Sequence, residues 1–256
     1  MQTASLDGTA VIVTGGSRGV GLGVAAALVA CGAKVTITGR KQDALDAAVE
    51  SLTGAGGDVH AIAGNVADRD WMFDVVAQTV ERFGRLDGLV NNAQTFRPVM
   101  PLETVTSRDM DTLLDTGLKA TLWGMQAVLP HFRAQGIGRI VNMGSVIGMR
   151  GAKGYGPYAA SKEAIRGLTR VAALEWAADG IVVNCVCPAS AGHRAPPGDD
   201  PLRRANFDAA YRDHPMGRDG DATDDIGPVV CFLLSPECRY LTGETLNVDG
   251  GGYLRP

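Results

Sequence analysis

Tyr158 and Lys162 place a phenol and an ammonium four residues apart at the start of an apolar-periodic stretch, a spacing that returns to one face of a helix. A phenol titrates near ~10 and keeps its proton at neutral pH, but a fixed cation beside it favours the phenolate. At about 4 Å and an effective dielectric of about 20, that attraction is on the order of 4 kcal/mol before desolvation, enough to lower the phenol's pKa by up to a few units. The pair is therefore expected to exchange protons near pH 7. Tyrosine and lysine at this spacing are also common on helix surfaces with no chemistry, so the other parts of a site must come from elsewhere in the chain.

The elements that would position the pair alternate strictly. Short apolar runs at Ala10 to Val13, Lys34 to Thr38, Val59 to Ala63, Leu86 to Val90, Arg139 to Met143, Ile181 to Val186 and Thr245 to Val248 read as strands. Helical periods fill the intervals: Val20 to Ala30, a stretch through Leu45 and Leu52 that stops at Gly54, one through Met72 and Val80, Met110 to Leu129 ended by Pro130, and Tyr158 to Ala178. Alternating strands and helices with nearly all-apolar strands predict an α/β, Rossmann-like, doubly wound parallel sheet in three layers. No linker or repeat divides it, so residues 1–256 are expected to form a single dinucleotide-binding and catalytic domain. Residues 189–215 differ: Pro196, Pro197, Pro201 and Pro215, several charges and a short helical pattern near Leu202 to Tyr211 suggest a substrate lid, with a plain loop as the other reading.

Composition narrows the function classes. A chain of 256 residues with 45% hydrophobic and 20% charged side chains is ordinary for a globular protein. A net charge of −4 and a pI near 5.6 supply no basic field, which argues against nucleic acid as a partner. Five cysteines, an odd number in a long chain, do not make a disulfide framework, and Cys185 and Cys187 lack the spacing of a metal clip. Reduced thiols, no metal and a cytoplasmic location are expected. Met1 to Ser5 carries no basic and apolar export signal, and no apolar run is long enough to cross a bilayer.

Between the first strand and the first helix lie Thr14, Gly15, Gly16, Ser17, Arg18, Gly19, Val20 and Gly21. Glycines there let backbone N–H groups approach a pyrophosphate, and the helix N-terminus adds favourable partial charge. The second strand ends at Thr38, Gly39 and Arg40, with no carboxylate to hold a ribose 2′-hydroxyl. Arg40 and Arg18 instead suit a 2′-phosphate, which favours NADP and leaves NAD as the alternative.

Together with Asn91, Asn92 and Ala93, Ser145, Tyr158, Lys162 and the run Asn247 to Gly251, this loop resembles the short-chain dehydrogenase/reductase family along essentially the whole chain. The resemblance implies that Ser145 holds the substrate oxygen, that Tyr158 gives or takes the proton, and that Lys162 binds the nicotinamide ribose. It implies cofactor contacts from Gly15, Ser17, Arg18, Gly19, Val20, Gly21, Arg40, Asn65, Val66, Asn92, Ala93, Tyr158, Lys162 and Pro188, with Asn65 standing where the family usually has an aspartate beside the adenine. Hydride would pass between the nicotinamide and a secondary alcohol or ketone, and a homotetramer would form through the long helices and the C-terminal segment. Three departures stand out. Gly117 occupies the place of a helix asparagine that holds a proton-relaying water, Gln94 replaces a glycine, and Ala189 replaces the glycine after Pro188. Gly117→Asn is accordingly expected to raise turnover if proton relay limits the rate. A pocket bounded by Gln94 to Phe96, Met149, Tyr155 and the lid, with only Arg97, Arg150 and His193 as charged markers, points to a mostly apolar substrate: cyclic, steroid-like or a 3-oxoacyl thioester.

Overall fold

The computed structural model describes residues 5–96, 99–190 and 214–254. Seven strands form one sheet: β1 Ala10–Val13, β2 Lys34–Gly39, β3 Val59–Ala63, β4 Gly88–Asn91, β5 Gly138–Met143, β6 Ile181–Pro188 and β7 Thr245–Val248. Every pairing is parallel, in the order β3-β2-β1-β4-β5-β6-β7. Chain order reverses between β1 and β4, which opens a crevice beyond their carboxyl ends, where ligands of open α/β sheets bind.

Strands β1, β4 and β5 are buried at every residue, so both sheet faces need cover. The period of two sends Val11 and Val13 into one core with Val24, Leu28 and Ile37, and Ile12 into the other with Met72, Met125 and Phe132. Helices α1 Gly19–Ala30 and α2 Gln42–Gly54 build the first layer; α3 Arg69–Phe83 builds the second with two elements of the central chain, α5 Ala120–Gln135 and α7 Gly156–Trp176. The short helix α4 Ser107–Leu113 precedes α5, and α6 Val146–Arg150 follows β5. Helix α8 Gly227–Leu234 closes the first layer against α1, where a Cβ on Gly227 would lie 2.3 Å from that of Ala27.

The expected helix Met110 to Leu129 is corrected at both ends. Its first half is divided, with a wide π turn at Leu114–Lys119 between α4 and α5. Its second half passes through Pro130 to Gln135. Pro130 and Gln126, whose carbonyl loses its donor, both lie on the exposed side, so water satisfies that carbonyl. Beyond the proline, fully buried Phe132 holds the last turn. Of the expected lid, residues 191–213, including Leu202 to Tyr211 and His193, lie outside the described residues, as does Arg97.

Candidate active site

The strand ends at the reversal open onto one cavity of about 460 Å³. Gly15, Ser17, Arg18, Gly19, Val20 and Gly21 line it from the glycine loop, Arg40 from the end of β2, and Asn65 and Val66 from the turn after β3. Asn92 and Ala93 line it after β4, Tyr158 and Lys162 from α7, and Pro188 from the end of β6. The cofactor residues expected from sequence thus converge on one cavity.

The glycine loop is held open by its neighbours. Thr14 Oγ1 accepts from the backbone N–H groups of Asn92 and Ala93, both at 3.0 Å, and Asn92 Nδ2 donates to the carbonyls of Thr14 at 2.9 Å and Gly15 at 3.3 Å. A Cβ at Gly21 would lie 2.3 Å from the Gly15 carbonyl oxygen, so only glycine lets α1 start this close to the loop. Gly15 itself has φ 68°, a left-handed conformation. No side chain caps the N-terminus of α1, whose first residues face the cavity. An uncapped helix start behind a glycine loop fits a pyrophosphate, as the residue types demand. Arg18 and Arg40 are exposed at the far corner and pair with no carboxylate among the described residues. Asn65 Oδ1 accepts from Ala67 N–H at 3.1 Å, so this side chain shapes the turn as well as lining the cavity.

At the other end, Ser145 caps α6, its hydroxyl accepting from Ile147 N–H at 3.2 Å, and its side chain neighbours Tyr158 and favours the phenolate. Ser145 is buried and is not itself a lining residue; it reaches the cavity through Tyr158. Lys162 Nζ donates to the Met143 carbonyl at 2.7 Å and lies 5.7 Å from the centroid of the Tyr158 ring.

This geometry corrects the electrostatic expectation. Burial pushes the Tyr158 hydroxyl above the ordinary phenol range, with the Ser145 side chain working the other way, and Lys162 is not among the groups that shift it. Burial also lowers Lys162 from 10.5 to about 8. The ammonium faces the ring and the Met143 carbonyl, so Tyr158 stays protonated at neutral pH.

Phe96, Tyr155 and Tyr158 form an aromatic group, with centroids 6.0 Å, 5.9 Å and 6.3 Å apart. Gln94, Thr95 and Phe96 line the cavity as expected, whereas Met149, Arg150, Tyr155 and Ala189 do not. Ala189 instead spends its N–H on the Val248 carbonyl and its carbonyl on Gly220 N–H.

Sequence reasoning missed two supports. Asn91 Nδ2 donates to Asn142 Oδ1 at 2.9 Å, and Asn142 Nδ2 to Thr169 Oγ1 at 3.0 Å, a buried bridge from β4 through β5 to α7. The hydroxyl of Ser161 accepts from Gln94 Nε2 and donates to the Leu113 carbonyl, both at 3.2 Å. Both supports join residues tens of positions apart, and nothing local in the sequence marks them. The second also overturns the expected benefit of Gly117→Asn: a Cβ at Gly117 would lie 2.4 Å from Ser161 Oγ and 2.7 Å from Gln94 Nε2.

Comparison with known proteins finds relatives along nearly the whole chain. The family described as enoyl-(acyl carrier protein) reductase matches residues 15–252. The 12alpha-hydroxysteroid dehydrogenase of Clostridium sp. is 38% identical, covering 98% of both chains. The 3-oxoacyl-[acyl-carrier-protein] reductase of Staphylococcus aureus is 37% identical, over 95% of this chain and 97% of its own. The crystal structure of levodione reductase superposes with a TM-score of 0.88 at 32% identity, covering 96% of this chain and 97% of that one. The chain belongs to the short-chain dehydrogenase/reductase family, whose members are nicotinamide-dependent oxidoreductases.

Proposed function

We propose that this oxidoreductase interconverts a secondary alcohol and a ketone with NADP(H), on a mostly apolar substrate of cyclic, steroid-like or 3-oxoacyl type. The observation that carries the reading is that Tyr158 and buried Lys162, with Ser145 neighbouring the phenol, line the end of a cavity whose other end is an uncapped helix behind a glycine loop.

The glycine loop from Gly15 to Gly21 would hold the pyrophosphate, Asn65 and Val66 the adenine, and Asn92, Ala93, Pro188 and Lys162 the nicotinamide half. Arg18 and Arg40, unpaired with any carboxylate among the described residues, would take the 2′-phosphate. A nicotinamide bound there supplies or accepts the hydride. Tyr158, kept protonated by burial, donates its proton to the carbonyl oxygen as negative charge builds on it. Ser145, beside the phenol, adds a second hydroxyl for that oxygen, which stabilises the charged transition state. The ammonium of Lys162 contributes positive charge without drawing the proton off Tyr158. Phe96, with Tyr155 packed against it, gives the substrate an aromatic wall, and the apolar substrates named for the hydroxysteroid and levodione relatives fit that wall.

The test incubates the protein with NADPH or NADH and a panel of cyclic ketones, steroid ketones and 3-oxoacyl thioesters, following absorbance of the reduced cofactor. Consumption of NADPH in preference to NADH with at least one panel member is expected. Binding of cofactor with no turnover of any ketone would make the chain a binding protein and overturn the reading; a preference for NADH would replace the cofactor alone.

Exposed Val171 and Leu174 on α7 support a homotetramer assembled through its long helices, to be checked by light scattering. Five free thiols support a cytoplasmic location, to be checked by cell fractionation. Among the described residues no helix is long and apolar enough to cross a membrane.

A further inference from the structure

Gln94 and Gly117 share one volume. The glycine is buried in the wide turn before α5, and its φ is not positive, so the backbone does not demand glycine there. A Cβ at this position would lie 2.4 Å from Ser161 Oγ, 2.7 Å from Gln94 Nε2 and 2.8 Å from Gln94 Cδ, so the space a side chain would take is filled by the Gln94 amide together with the Ser161 hydroxyl that holds it.

That amide is oriented. Ser161 gives its proton to the Leu113 carbonyl and receives Gln94 Nε2 on a lone pair, each at 3.2 Å. Gln94 Oε1 is therefore the end turned away from Ser161, and it is buried with no hydrogen-bond partner among the described residues. An unmet buried carbonyl is costly to the fold, and such groups usually hold an ordered water. Gln94, Thr116, Tyr158 and Lys162 line the same cavity, so a water on Oε1 sits among groups that handle protons. Lys162 spends one of its three N–H donors on the Met143 carbonyl, which leaves donors for that water.

We propose that Gln94 is a positioning residue for proton exchange: its amide, seated over Gly117 and aimed by Ser161, holds through Oε1 a water that links Lys162 to solvent. The inference rests on the proposed ketone reduction. For each proton that Tyr158 delivers to the substrate oxygen, one enters from solvent through this water and the Lys162 ammonium, and no carrier changes its net charge over a turnover.

The test has a structural and a kinetic arm. A high-resolution crystal structure of the wild type is expected to show a water hydrogen-bonded to Gln94 Oε1, absent from Gln94→Leu. With NADPH and a ketone that the wild type reduces, Gln94→Leu should keep its KM and cofactor affinity and lose kcat about ten- to a hundredfold, below the full general-acid contribution of about 10²–10⁴, with an altered pH profile. Gly117→Asn alone should also lose kcat, because its side chain meets the Gln94 amide. The triple variant Gln94→Gly, Gly117→Asn and Ser161→Ala clears both groups that a side chain at 117 would meet, returns an amide to the same volume from the other side and should recover most of the rate. Additive losses in the triple variant, a wild-type kcat in Gln94→Leu, or no water on Oε1 would each overturn the inference while leaving the function intact. A wild type that binds NADPH and reduces no ketone would overturn both.

Discussion

Lys162 offers the sharpest thermodynamic test of the site, because its cost to the fold depends on pH in a direction that can be worked out. Burial lowers its pKa from 10.5 to about 8, which corresponds to about 3 kcal/mol held against the folded state while the ammonium is charged. The folded value lies below the unfolded one. Between about pH 8 and 10.5 the unfolded chain binds the extra proton, so stability rises with pH across that window. Below about pH 8 the full penalty is present; above 10.5 it is gone. Replacing the side chain by Met removes the charge and also the 2.7 Å bond to the Met143 carbonyl, a loss of about 1–2 kcal/mol that does not vary with pH. The difference in unfolding free energy between wild type and Lys162→Met reports the titration of Lys162 together with the field it exerts on the buried thiols of Cys185 and Cys187. Urea unfolding of both proteins at intervals from neutral pH to beyond 10.5 should show the wild type gaining about 3 kcal/mol on the variant. A difference that stays constant across that range would refute the assigned burial of the ammonium.

Other consequences follow for activity. Ketone reduction that needs the Lys162 ammonium should fall as pH rises through about 8, read from initial rates across a buffer series. Arg40→Ala should weaken NADPH about ten- to a hundredfold, the loss of a charge-assisted hydrogen bond of about 1.5–3 kcal/mol, while leaving NADH binding nearly unchanged by fluorescence titration. Gly21→Ala puts a Cβ 2.3 Å from the Gly15 carbonyl and should abolish binding of either cofactor while costing about 1–3 kcal/mol of stability by overpacking, read by calorimetry.

Much of this was legible in the chain because the physics is local. The glycine loop, the apolar strand runs and the absence of an acid after β2 each act through neighbouring residues, and the crevice follows from strand order. What escaped the sequence depends on depth and on distant partners. The direction of the Tyr158 shift reverses because burial raises it while Lys162, facing the ring, does not pull it down, and residue spacing specifies neither burial nor facing. Pro130 continues a helix because its face is wet, a property of packing. The run Gly227 to Leu234 is apolar almost throughout, so periodicity had nothing to read, and α8 became visible only against α1. Gln94 and Gly117 look like two separate departures until the fold brings them together.

The central claim is that the Tyr158 hydroxyl carries the proton exchanged with the substrate oxygen. Turnover of a reducible ketone by Tyr158→Phe, alongside NADPH affinity measured by fluorescence titration, tests it most directly. The phenyl ring keeps the aromatic contacts with Phe96 and Tyr155 and loses only the oxygen, so cofactor affinity should hold while kcat drops about 10²–10⁴-fold. A variant that binds NADPH and turns over at the wild-type rate would contradict the account.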